Sequence, residues 1–120
     1  MGINDFSYCR ETLGLYEDID FTALINGSSY NEPTTTCEAY AIMLHKITNR
    51  YPDAEVYCFT LPAKKNFVGN EEAVYVRYNS SLKKLADHFG CISVDTYHDS
   101  GIIRDKKTNE MYLADGVHPN

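Results

Sequence analysis

Residues 74–95 read VYVRYNSSLKKLADHFGCISVD, and this stretch decides the fold class. Val74, Tyr78, Leu82, Leu85 and Phe89 follow one another at helical spacing, so they form a single apolar stripe on a helix. Lys83, Lys84 and Asp87 lie off that stripe. Gly90 stands where a left-handed cap belongs, because a residue without Cβ takes positive φ freely. Cys91-Ile92-Ser93-Val94-Asp95 follows at once and reads as a short buried strand.

The same pair of elements stands upstream. Thr35 and Glu38 have capping-box spacing: the hydroxyl accepts from the Glu38 N–H and the carboxylate reaches back. Tyr40, Leu44, Ile47 and Tyr51 then recur at helical spacing, and Pro52 ends the run. Val56-Tyr57-Cys58-Phe59-Thr60-Leu61 is mostly apolar and suits a strand buried on both faces, closed by Pro62. Helix, strand, helix, strand in that order implies a parallel sheet with covered faces. Ligands of such sheets bind at the carboxyl ends of the strands. Segment 7–34 is expected to hold loops and a short helix, with turns at Leu13-Gly14 and Asn26-Gly27-Ser28-Ser29. Segment 98–114 reads as mostly irregular.

The chain has 120 residues, enough for one domain. Its net charge of −6 disfavours phosphate backbones, and Lys64-Lys65, Lys83-Lys84 and Arg104 to Lys107 are too short to offset it. No apolar run nears the roughly 18–20 residues of a membrane span, and no signal peptide is visible. Cys9, Cys37, Cys58 and Cys91 form no C-x-x-C pair, which argues against a zinc or redox motif. Cys58 and Cys91 lie in apolar runs, where a free thiol acts as a small hydrophobe.

Two short motifs carry chemistry. Gly2-Ile3-Asn4-Asp5 stands at one end, and Ala114-Asp115-Gly116-Val117-His118-Pro119-Asn120 at the other. Asp115 and His118 are three apart, so one turn brings their side chains together. A carboxylate that holds one imidazole nitrogen fixes the tautomer and leaves the other nitrogen to act as general base. The bland alternative is a surface turn with an unrelated Asp and His.

The flanks decide between them. Ala-Asp-Gly-Val-His-Pro-Asn closely resembles the last signature block of the SGNH (or GDSL) hydrolases, and Gly-Ile-Asn-Asp resembles their G-x-N-D block. The two stand in the family's order, and residues Tyr78 to Asp95 have the texture of its last helix–strand pair. The resemblance implies a three-layer α/β/α sandwich with a parallel, flavodoxin-like sheet. It implies that His118 is the general base, Asp115 its orienting acid and Asn4 the side-chain donor of the oxyanion hole. Gly2 would keep the backbone tight beside Asn4, and Asp5 would brace that loop. Substrates would be acyl esters such as acetylated sugars or lipids, with no cofactor and no metal. Asp115 and His118 lack a convincing third metal ligand. A non-catalytic fragment or binding module that inherits the motifs is the alternative.

The family's nucleophile lies in a Gly-Asp-Ser block that precedes G-x-N-D, and the chain has no such block. A final helix normally follows the D-x-x-H block. The expectation is therefore a partial domain over residues 1–120, truncated at its N-terminus and without its own nucleophile. Its first strand would be missing, which leaves a sheet edge bare and implies low stability or reliance on a second copy. Asp99-Ser100-Gly101 faintly echoes the missing block, but His98 stands in place of glycine and the position follows the last strand. Ser28 and Ser29 lie in a turn-rich loop. His45 and His88 are expected at the surface, and Asp95 as a helix cap or turn former at the sheet's carboxyl edge.

Overall fold

A computed structural model describes residues 3–8, 10–64, 67–101 and 113. Helix α1 (Ile3–Tyr8) leads through two 3-10 turns to α2 (Phe21–Leu24) and a small hairpin, β1 (Ile25–Asn26) and β2 (Ser29–Tyr30). The chain then runs α3 (Thr36–Arg50), β3 (Tyr57–Phe59), α4 (Glu71–His88), β4 (Ile92–Val94) and α5 (Thr96–Asp99). The hairpin is an addition to the expected loop, closed by Gly27-Ser28 with Gly27 at φ 61°. A two-residue loop with glycine first takes the positive φ that such a hairpin turn needs.

Local chemistry sets the long helices. The Thr35 hydroxyl accepts from Glu38 N at 3.2 Å, and Glu38 Oε2 accepts from Thr35 N at 3.0 Å, so the capping box forms in full. The helix stops at Arg50, and Tyr51 caps it from an exposed position outside the stripe. At the end of α4, Gly90 has φ 69°. Gly90 N donates to Asp87 O at 3.1 Å and Cys91 N to Ala86 O at 2.8 Å. These two bonds are the Schellman pair, and they turn the chain directly into β4.

Strands β3 and β4 pair in parallel, with Tyr57 opposite Ile92, Cys58 opposite Ser93 and Phe59 opposite Val94. Helix α4 lies on both strands and packs against α3. Asn79 of α4 fastens the chain leaving β3: its amide accepts from Leu61 N at 2.8 Å and donates to Leu61 O at 3.1 Å. The Tyr75 hydroxyl donates to Pro62 O at 2.6 Å. Tyr75, Tyr78, Phe6, Leu44 and Leu85 are the largest fully buried side chains.

Two expectations change here. Residues 56–61 were to be a strand covered on both faces, but only Cys58 is buried within β3, while Tyr57 is 52% and Phe59 61% exposed. Ile92 shares that face and is 41% exposed. Hydrophobicity gave the strand but does not say that a covering layer is present. Among the described residues the parallel sheet has two strands and helices on one face, so the architecture is α/β, and the three-layer sandwich is not assembled by these residues alone.

Candidate active site

Gly2, Asp115 and His118 lie outside the described residues. Asn4 falls in the first turn of α1. That helix is pinned by its neighbour Phe6, whose ring meets Tyr75 edge-on at 4.7 Å between centroids. Arg10 and Lys64 both place their cations over the Phe6 ring, at 5.1 and 5.4 Å. Glu71 gathers the same cations, with Oε1 2.5 Å from Arg10 Nη2 and 3.1 Å from Lys64 Nζ. The Val68 N–H on its other oxygen, together with Lys64, holds the Glu71 carboxyl below its ordinary range despite burial. Asp5 is half-buried. Burial first, then the charges of Cys37 and Asp5, push the Tyr78 hydroxyl up. That hydroxyl is buried without a hydrogen-bond partner.

The carboxyl ends of β3 and β4 deliver Thr60 and Asp95 side by side. Asp95 caps α5: Oδ1 accepts from His98 N at 3.2 Å. Its second oxygen does something else. Oδ2 accepts from His98 Nδ1 at 2.9 Å and from Lys83 Nζ at 2.9 Å. Burial alone would raise the Asp95 carboxyl, but the bonds from Lys83 and His98 outweigh it and hold the carboxyl far below the usual carboxylate range. Lys83 is raised in turn by Asp95. Beside this group opens a cleft of about 250 Å³, lined by residues including Asn79, Ser80, Lys83, Lys84, Tyr97 and His98.

The sequence reading weighed Asp95 and His98 one at a time and missed them as a pair. The signal was there: Asp95-Thr96-Tyr97-His98 has the same D-x-x-H spacing as Asp115 to His118. Ser100, the faint nucleophile candidate, follows α5 in ordinary right-handed backbone at φ −69°. Ser28 and Ser29 sit in the β1–β2 hairpin.

His88 is exposed, as expected, and both histidines are engaged by neighbouring rings. His88 stacks on Phe21 at 4.0 Å with ring planes 13° apart and meets the Tyr16 hydroxyl at 3.1 Å through Nδ1. His45 is half-buried, with Nδ1 3.0 Å from the Tyr30 hydroxyl. Residues 16–30, which hold α2 and the β1–β2 hairpin, bring these aromatic partners, and helical periodicity does not reveal them. Cys37, Cys58 and Cys91 are free and buried. Burial, with the nearby carboxylates, pushes the Cys37 thiol up to about 12, and burial with Cys58 pushes Cys91 up to about 11. Among the described residues no group of three or more His, Cys, Asp or Glu is placed to hold a metal ion. No helix of the described residues is long and apolar enough to cross a membrane.

The helix–strand–helix–strand unit with its parallel strand pair makes this an α/β protein, and G-x-N-D and D-x-x-H flank that unit in the sequence. The profile of the GDSL-like lipase/acylhydrolase family matches residues 1–120, and the chain belongs to that family. A solved crystal structure is similar in fold, with a TM-score of 0.68 at 22% identity over 99% of this chain. The chain spans about half of that structure's length, 53%. No curated protein matches in sequence.

Proposed function

We propose that the chain supplies the acid–base half of a serine ester hydrolase, with the nucleophile provided by residues outside this sequence. The observation that carries this is the family match over residues 1–120, within which the two expected motifs stand in the expected order. In this assignment His118 takes the proton of a serine hydroxyl and later gives it to the leaving alcohol. Asp115 fixes the His118 tautomer. Asn4 donates to the oxyanion, where charge appears only in the transition state. Gly2 lets the backbone run close beside it, and Asp5 braces the turn.

The domain is then a partial one over residues 1–120, and the 53% coverage of the similar structure supports that reading. The exposed Tyr57–Phe59–Ile92 face supports a third layer contributed from elsewhere. Substrates are carboxylic esters of small molecules, carbohydrates or lipids, and the pocket needs neither nucleic acid nor cofactor.

The test is to compare two proteins. In the 120-residue chain a fluorophosphonate probe labels no serine. Joined to an N-terminal segment that bears Gly-Asp-Ser and to a closing helix, the chain takes the label and gains hydrolysis of p-nitrophenyl acetate that the probe abolishes. In the joined protein His118→Ala lowers the probe-sensitive kcat by about 10⁶, because triad members act as a unit. Asn4→Ala lowers it by about 10²–10³. A labelled serine in the 120 residues alone overturns the assignment of the nucleophile.

A further inference from the structure

We propose that Asp95 and His98 form a second acyl-transfer centre, independent of serine, in which His98 Nε2 attacks activated aryl esters of carboxylic acids in the cleft beside α4. The two oxygens of Asp95 have separate tasks. Oδ1 accepts from His98 N and serves as the helix cap. A cap needs nothing more, yet Oδ2 also holds the imidazole at 2.9 Å and is itself fixed by Lys83 at 2.9 Å. An ionised carboxylate only accepts, so the ring nitrogen facing it carries the proton. Nε2 is then the basic nitrogen, on a side chain 67% exposed to solvent.

Position and space agree with that chemistry. Asp95 directly follows β4 and touches Thr60, which directly follows β3. The pair thus stands at the carboxyl edge of a parallel sheet, where ligands of such sheets bind. The adjoining cleft of about 250 Å³ admits a small acyl ester, with Val76 and Tyr97 as apolar wall and Asn79 and Ser80 as polar wall.

The step balances. The Nε2 lone pair forms a bond to the acyl carbon, and the carbon–oxygen bond to the aryloxide breaks, with its electron pair leaving on that oxygen. Asp95 stabilises the acyl-imidazolium through the Nδ1 proton. Water then adds to the acyl carbon and the carbon–nitrogen bond breaks. The products are a carboxylic acid, an aryloxide and regenerated imidazole, and the surplus proton from water goes to solvent.

The test uses the 120-residue chain, p-nitrophenyl acetate and prior treatment with a fluorophosphonate. The expected result is saturable turnover that the probe does not touch. His98→Gln lowers kcat/KM by about tenfold or more, while general acid–base groups in full active sites contribute about 10²–10⁴. His45→Gln leaves the rate unchanged. Asn caps a helix as well as Asp does, so Asp95→Asn keeps α5 and lowers kcat with KM unchanged. Ser80→Trp fills the cleft and raises KM. Probe-insensitive turnover that persists in His98→Gln, or a rate merely linear in ester, overturns this centre and leaves the Asp115–His118 assignment standing. Turnover abolished by the probe overturns this centre and the nucleophile assignment together.

Discussion

The two faces of the β3–β4 sheet differ both in residues and in surroundings. On one, Cys58 is 6% exposed and α4 covers both strands with Tyr75, Leu82 and Leu85. On the other, Tyr57, Phe59 and Ile92 stand open to water. The strands carry their largest apolar side chains on the open face, so residue type tells where apolar surface exists and not what covers it. The covered face is where the described residues bury their apolar surface, and the open face leaves Tyr57, Phe59 and Ile92 in water.

Substitutions separate the faces. Leu85→Ala, at a fully buried site on α4, should destabilise by about 2–5 kcal/mol through lost transfer energy and the cavity left behind. A denaturant midpoint that barely moves would show that α4 is loosely packed. Asn79→Ala strands the Leu61 N–H and C=O at a buried site. The expected cost is about 1–3 kcal/mol, read by the same titration.

Acid should act next. Asp95 and Glu71 both carry carboxyls held below their ordinary range on the α4 side. Such groups contribute stability that is fully present above the unfolded pKa of about 4 and is lost as pH falls through the lower folded value. The melting temperature should therefore stay level from about pH 7 to 5 and drop below about pH 4. Asp95→Asn should flatten that drop.

Thr35→Ala breaks the capping box of α3 and should cost about 1 kcal/mol, less than either core change. Phe59→Ala on the open face should stay within about 0.5 kcal/mol in the 120-residue chain. In a longer protein that covers the face, the same change should cost about 3–5 kcal/mol. Equal effects in both proteins would mean that nothing ever packs on Phe59.

The legible parts of the molecule are those whose cause lies within a few residues. Thr35 with Glu38, Pro52 after Tyr51, and Gly90 before Cys91 are local hydrogen-bond and backbone facts, and the helices start and stop there. The stripe of Tyr78, Leu82 and Leu85 is a periodicity of one helix, and those residues are buried. Two strands joined through a helix pair in parallel, as expected of that connection.

Other features depend on who the neighbours are. The exposure of Tyr57 and Phe59 depends on a layer that their own sequence does not encode. The ring cluster around His88 and His45 depends on residues 16–30 folding back over α4 and α3. Asp95 and His98 illustrate both cases. Their spacing was readable, and so was a cap at the end of β4. Only the tertiary fold brings Lys83 from another helix onto the same carboxylate and opens a cleft beside the ring, because charge and space around a side chain are set by distant segments. The sequence by itself determined the family and the order of helices and strands, through motifs and periodicities carried within single segments. The tertiary structure decided which apolar face is covered and that Asp95 and His98 stand beside a cleft, since both follow from contacts between segments far apart in the chain.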